Sequence, residues 1–453
     1  MIVNKPAAET HIWKIVTVVF FGPFLSILSA TTVNVSLSTL GHDLGAPLGT
    51  IQWVASGYLL ALALMLPLTG WMVDRFGAKR MYLGCFAAFT LASTLCGFAQ
   101  TAPQMISFRI LQGMAGGLIA PMAQMMTARH AGENMARVMG YVGFPVMLAP
   151  IMGPVVAGAI LEHASWHWIF FINAPFGVLA IAVAALLLPN DEELNPRPLD
   201  LIGFFLISPG LVLVLEGVQA MTTGGGALRG AEIIAGLCLV GAFIWRSQKL
   251  GKAALVDLRL FARRTFAVAA SAQFLANAGS FSGQLILPLY YLTARGIGPT
   301  ATGLLILPLG VGMAVSLPMM GRVVGWFGAR RTAAGGTTLA FLGTLPFVFF
   351  GQEWPLWFLV VTLFVRGLGL GAIGVPSLSM AYSSLPKSEL ANATTAVNIV
   401  QRLGGPIGTV SLALLFQHLL IQSQGIAFSA TFALLCAMHL MCALVVLMLP
   451  KTA

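Results

Sequence analysis

Five ionisable side chains stand inside long apolar runs of this 453-residue chain: Arg109, Glu216, Arg366, Arg402 and His439. A charge at such a place costs roughly 2.5 to 3.5 kcal/mol even on a lenient insertion scale, so each marks a pathway or a pin that bonds helix carbonyls. The chemistry on offer is electrostatic binding and proton handling. No nucleophile sits beside a base, and no Gly-Lys-Ser/Thr loop is present to cradle a nucleotide phosphate. No enzyme activity, cofactor or metal is therefore expected, and energy for any work must come from an ion gradient.

Uncharged polar residues are ordered too. Gln273, Asn277, Ser280 and Gln284, spaced 4, 3 and 4, share one helical face. Thr395, Asn398, Gln401 and Arg402 make a second stripe, and Thr31, Thr32 and Asn34 mark a third. In lipid such faces turn inward, toward a cavity for weakly polar cargo or toward interhelical hydrogen bonds. Tyr58, Tyr290 and Tyr291 suit stacking on aromatic cargo or an interfacial position. His439 could titrate near neutral pH, although a satisfied packing histidine is the expectation.

These residues need a membrane to hold them. Hydrophobic residues make up 58% of the chain and charged ones 8%, against about 25% charged in globular proteins. Lipid admits only helices and closed barrels. The runs are continuous, without the alternation of barrel strands, so the fold class is an all-α membrane protein. Runs of about 20 residues fall at 12–37, 50–73, 80–99, 103–126, 138–161 and 167–188, then at 201–220 and 231–247, then at 266–292, 300–320, 332–350, 356–380, 394–417 and 427–449. The division is an N-terminal bundle of six helices (1–188), a linker with two inserted helices (189–264), and a C-terminal bundle of six (265–453). A turn at 222–226 separates the inserted pair, and Glu216 lies within the first of the two spans, where a structural role is expected. Lys5 and Lys14 precede the first run without a cleavage site, so that run is read as an uncleaved span.

The net charge of +10 does not point to nucleic acid, because the basic residues are scattered over short loops. With both termini in the cytoplasm, 19 of the 24 fall on the cytoplasmic side, which fixes the orientation. The five cysteines lie in apolar runs without paired spacing and are read as small core residues.

The chain is duplicated. Residues 70–80 read Gly-Trp-Met-Val-Asp-Arg-Phe-Gly-Ala-Lys-Arg, and residues 321–331 read Gly-Arg-Val-Val-Gly-Trp-Phe-Gly-Ala-Arg-Arg. Arg109, followed by Gly113, Gly116 and Gly117, answers Arg366, followed by Gly369, Gly371 and Gly374. Gly153-Pro154 answers Gly405-Pro406. The offsets are 251, 257 and 252 residues, as two related halves require. Within the loop, Gly70 and Gly77 permit close helix approach and a tight reversal, while Asp74 can face a cation or a helix N-terminus. The second copy has Gly325 at that place. Gly113, Gly116, Gly117, Gly153 and Gly158 suit tight helix packing, and Pro150 with Pro154 suits a bend.

The loop at 70–80 resembles the signature between the second and third helices of the major facilitator superfamily. Arg109 with Gln112 and Gly113 is similar to its fourth-helix motif, and Pro150, Gly153, Pro154 and Gly158 to its fifth-helix antiporter motif, with Ala157 in place of a commoner glycine. Trp53, Val54 and Tyr58, residues 165–175 and residues 257–266 resemble the fourteen-span drug:proton antiporter branch known as EmrB/QacA-like. The resemblance implies two six-helix bundles with pseudo-two-fold symmetry plus two inserted helices. It also implies proton-coupled export of drugs or other small amphipathic or cationic compounds across a bacterial inner membrane.

By the same resemblance Asp74 and Arg75 form a conformational latch, and Asp74, Arg109 and Glu216 are the candidates for proton coupling. Relatives carry an aspartate in the first span, where this chain has Ser29. That departure leaves open export of a specific metabolite or metal chelate, or uncoupled facilitation. A membrane sensor or scaffold is a remoter alternative, since no loop is long enough to fold as an output domain. The expected partners are a small-molecule substrate, protons, the bilayer and a candidate periplasmic adaptor, with the chain itself a monomer.

Overall fold

The computed structural model describes residues 5–131, 134–189, 198–221, 227–349 and 354–450. The linker residues Asp191, Glu192, Glu193, Pro196 and Arg197, the 222–226 turn and Lys451 lie outside them. Helices account for nearly all of what is described, as lipid requires, and no strand occurs among the described residues.

The first half comprises α1 (Lys5–Asp43), α2 (Leu48–Met65), α3 (Thr69–Phe76), α4 (Ala78–Gly97), α5 (Ala102–Ala131), α6 (Met135–His163), α7 (His167–Phe171) and α8 (Asn173–Leu187). Two middle helices follow, α9 (Leu201–Met221) and α10 (Ala227–Leu250). The second half comprises α11 (Arg264–Leu289), α12 (Pro299–Phe327), α13 (Ala329–Thr344), α14 (Leu356–Ser383), α15 (Leu390–Leu420) and α16 (Gln424–Leu447).

Among the described residues, ten of these helical stretches are long and apolar enough to cross a membrane. An eleventh is α6, bent by 43° between Met135–Pro150 and Met152–His163. The bend falls where Pro150 and Pro154 each withhold a backbone N–H from the ladder. Three helices fall short of that standard for local reasons. The first turn of α4 carries Lys79 and Arg80, α11 carries the Gln273-to-Gln284 stripe, and α13 has 16 residues. Each is flanked by apolar helices: α4 by α5 and α8, α11 by α14, α15 and α16, and α13 by α14 and α16.

The two copies of the repeated loop have the same backbone. Gly77 ends α3 at φ 90°, ψ 154°, and Gly328 ends α12 at φ 78°, ψ 157°. Their N–H groups donate to Val73 O at 2.9 Å and Val324 O at 2.8 Å. This region of φ/ψ space is open only to glycine, which explains why these residues recur.

The first glycine of each copy touches the opposite half. Gly70 N donates to Thr395 Oγ1 of α15 at 3.1 Å, and a Cβ on Gly70 would stand 3.0 Å from Ala391 O. A Cβ on Gly321 would stand 2.5 Å from Arg137 Cβ at the start of α6. Gly140 of α6 lies against Leu317 O of α12. A further hydrogen bond joins the halves, from Asn398 Nδ2 to Gln124 Oε1 at 2.7 Å. All these contacts lie toward one end of the molecule, the basic end that holds Gly77 and Gly328. Among the described residues no hydrogen bond joins the halves at the other end.

Candidate functional site

Arg109 projects from α5 into the packing of α1, α2 and α7 and is fully buried. Its Nε donates to Val54 O at 3.0 Å, and its Nη1 donates to Gln112 Oε1 at 2.7 Å and Ser29 Oγ at 3.2 Å. Gln112 Nε2 donates to Ser29 Oγ at 3.2 Å, which closes a triangle of side chains. The guanidinium lies 4.1 Å from the centre of the Tyr58 ring and 5.9 Å from that of Phe170, within the range of cation–π attraction. Tyr58 OH in turn donates to Ser26 O at 3.0 Å. No carboxylate takes part, and Nη2 has no partner among the described residues. Close approach is what permits the arrangement: Gly113 and Gly117 lie against the backbone of Tyr58 and Leu62, where a Cβ would collide.

The second copy is built on the same plan with fewer partners. Arg366 of α14 is fully buried and donates from Nη2 to Gly279 O at 3.0 Å, while its Nε and Nη1 have no partner among the described residues. Gly283 leaves room for its guanidinium. His439 lies against Gly279, fully buried, and both of its ring nitrogens lack a described partner. His439 packs in the interior as expected, but without the hydrogen bonds expected of it among the described residues.

The third arginine stands apart. Arg402 lines a hollow between α2, α9 and α15, together with Ala63, Leu66, Leu211, Leu215, Ile399 and Leu403. It is neither fully buried nor exposed. No hydrogen bond or ion pair reaches it among the described residues. The inserted helix α9 thus forms one wall of the seam between the halves, a contact that no local feature of the chain announces. Glu216, one residue along α9 from Leu215, has an interaction of its own.

The polar stripes divide between structure and surface. Gln273 is buried and donates from Nε2 to Gly374 O at 2.6 Å, and Asn277 bonds Gln273 O at 3.0 Å. Gln284 and Asn34 are exposed, and Gln401 is half-buried. Asn398 holds Gln124 across the halves. Thr31 bonds carbonyls of its own helix at 3.0 Å and is met closely by Gly153 of α6. Gly158 has nothing within 4 Å of a Cβ and is exposed, so it does not serve tight packing. Tyr58 is sealed beneath Arg109, while Tyr290 and Tyr291 are buried, with Tyr290 set among Phe347, Phe428 and Phe432. None of the three presents its ring to cargo.

At the basic end, Asp74 Oδ1 lies 4.0 Å from Arg129 Nη2. Arg75 stands over Trp71 and Phe76 at 5.9 and 6.0 Å. Lys79 Nζ donates to Leu188 O at 2.8 Å, which ties the loop to the end of α8. The place of Asp74 in the second copy, Gly325, has nothing within 4 Å of a Cβ.

Comparison with known proteins agrees with this architecture. The chain matches the Major Facilitator Superfamily over residues 19–409 and 269–453. It is 34% identical over 413 residues to the multidrug resistance protein B homolog of Mycobacterium tuberculosis (strain ATCC 25618 / H37Rv), covering 90% of this chain and 76% of that protein. MdtD of Serratia proteamaculans (strain 568) is 30% identical over 417 residues, covering 91% and 86%. Among solved structures, a double-tryptophan variant of XylE superimposes with a TM-score of 0.68 at 13% identity, over 97% of this chain and 96% of that one.

Proposed function

The chain belongs to the Major Facilitator Superfamily, and from that premise we propose that it is a proton-driven exporter of small amphipathic compounds. It works by alternating access. Two bundles of six spans, residues 1–188 and 265–453, rock about a midplane cavity, and the 189–264 segment adds two spans for a total of fourteen, as in the EmrB/QacA-like branch. The protein resides in a bacterial inner membrane with both termini in the cytoplasm, which makes the basic end cytoplasmic. The chain acts as a monomer, with a periplasmic adaptor as its candidate partner.

The observation that carries this reading is the placement of the contacts between halves. They cluster at the basic end and come in a repeat-related pair, Gly70 on α15 and Gly321 near Arg137 of α6. A body joined at one end is one state of a rocking pair, and here the outward-facing one. The name of the mycobacterial relative, which concerns multidrug resistance, supports a drug-like cargo. Asp74 with Arg129 serves as the latch of the closed cytoplasmic end, and the Arg109 cluster links the cavity wall to α1 and α2.

Proteoliposomes with an imposed pH gradient test the reading. Substrate flux that follows the gradient is expected. Flux indifferent to it would leave facilitated diffusion, the reading that Ser29 in place of an acid favours. Selective export of one metabolite or metal chelate would be recognised by failure of unrelated compounds to compete.

A further inference from the structure

We infer that the second copy of the repeated loop, residues 321–331, is a contact for an anionic phospholipid, whose head group is held by Arg322, Arg330 and Arg331 beside Trp326. The inference concerns the bilayer and not the cargo, so it stands whatever drives transport.

The two copies share a backbone but not a chemistry. In the first, the charged side chains have protein partners: Asp74 lies 4.0 Å from Arg129, Arg75 stands over Trp71 and Phe76, and Lys79 donates to Leu188 O. In the second, Gly325 takes the place of Asp74 and Trp326 that of Arg75, so the stretch holds three arginines and no carboxylate. Among the described residues no hydrogen bond, ion pair or ring contact reaches Arg322, Trp326, Arg330 or Arg331. Arg322 and Arg331 are exposed and Arg330 is half-buried. Trp326 and Phe327 are 72% and 58% exposed. A loop kept only to reverse the chain needs its glycine, Gly328, and has no use for two bare aromatic rings among unpaired cations.

The helix that leads into the loop shows what these side chains face. On α12, Leu304, Leu307, Val311, Val315 and Met319 are all exposed, and they recur at the three- and four-residue spacing of one helical face. The packed positions lie elsewhere on the helix: Gly312 and Ser316 meet α14, and Leu317 meets α6. An unbroken apolar face about 22 Å long, at the helical rise per residue, is a face in hydrocarbon. At the same spacing the next two positions are Arg322 and Trp326, so the face passes from hydrocarbon to a guanidinium and an indole at the basic end. That is the depth of the head groups, where tryptophan is enriched and where clustered basic residues draw anionic lipid. The complement has acyl chains to lie along Val311, Val315 and Met319 and a phosphate to accept hydrogen bonds from the arginines, each of which can offer two N–H donors. A zwitterionic lipid has the same phosphate but brings a cation of its own, which the patch repels.

Native mass spectrometry of the purified full chain in detergent tests the assignment, with phosphatidylglycerol as the anionic probe, phosphatidylcholine as the zwitterionic one and glycerol 3-phosphate as a soluble phosphate. Phosphatidylglycerol is expected to be retained in preference to the other two. Replacing the arginines together, Arg322→Gln, Arg330→Gln and Arg331→Gln, is expected to weaken its binding roughly tenfold or more, and lysine at the same three positions to recover most of it. Lys249→Gln with Arg264→Gln, at two other exposed basic residues of that end, is expected to leave binding as it was. The unfolding midpoint is read alongside, and if the triple glutamine variant does not fold, Arg322→Gln alone carries the test. Equal retention of the two lipids, or unweakened phosphatidylglycerol binding in the glutamine variant, would overturn the assignment. So would an equal loss in the Lys249 and Arg264 control, which would leave only general charge attraction. Glycerol 3-phosphate held as well as the lipid would make the occupant a soluble phosphate instead.

Discussion

Ser29 Oγ lies 3.2 Å from Arg109 Nη1 and accepts its hydrogen bond. A hydroxyl thus stands where a carboxylate would have paired with the guanidinium, and no carboxylate offsets the arginine among the described residues. Replacement by aspartate places a carboxylate against two donors already aimed at it, Arg109 Nη1 and Gln112 Nε2. Ser29→Asp is expected to raise the thermal midpoint in detergent, by about 1 kcal/mol of added stability or more, since an uncompensated buried charge gains its partner. Fluorescence-detected unfolding checks this, and an unchanged midpoint would mean the charge is already offset.

Arg109→Lys should behave as a severe change. The guanidinium uses Nε and Nη1 at once, toward α2 and α1, and stands 4.1 Å from the centre of the Tyr58 ring, and a single ammonium cannot reproduce that fork. Flux at least tenfold below wild type is expected at equal protein level, measured in the same vesicles by immunoblot.

Gly77→Ala and Gly328→Ala should cost nearly the same. Both glycines hold the same positive-φ backbone, so each alanine costs about 1–3 kcal/mol of strain. Thermal unfolding of the two variants compares them directly. A loss at one site alone would show that the matching angles do not matter equally to the fold.

The proposed latch is a separate matter from stability. Asp74 and Arg129 stand at 4.0 Å with side chains 10% and 26% exposed, a geometry worth about 1 kcal/mol or less. Asp74→Asn is therefore expected to slow transport while leaving the unfolding midpoint within a degree or two. Transport equal to wild type would reduce the loop to a topological anchor.

The closed basic end gives a prediction of its own. Gln124 and Asn398 bond across the halves at 2.7 Å, so the Gln124→Cys, Asn398→Cys pair should cross-link readily in the resting protein. Cross-linking should fall when substrate and gradient drive turnover, read as a shift on a reducing versus non-reducing gel.

Much of this arrangement was legible in the chain because its elements are local. Long apolar runs declare helices, and Gly77 and Gly328 declare a reversal that only glycine permits. Arg109 with Gln112 stood out because a charge in lipid demands an explanation. What the sequence could not supply was rotation and long-range contact. Tyr58 has the same spacing whether it faces a cavity or the underside of Arg109. Gly153 and Gly158 belong to one motif, yet the first meets Thr31 and the second meets nothing. The exposure of Arg402 depends on where α9 docks, a contact between residues nearly two hundred positions apart.

That docking has a bearing on insulation. Two halves that rock as proposed share two side seams, and each is a route by which water or protons could slip past the cargo. Lying across the seam between α2 and α15 with Leu211 and Leu215 turned to it, α9 is placed to serve as a gasket. Under the proposed gradient-driven export whatever leaks is wasted, so shortening the chain by deletion of α9 and α10 should show itself first as a more permeable vesicle.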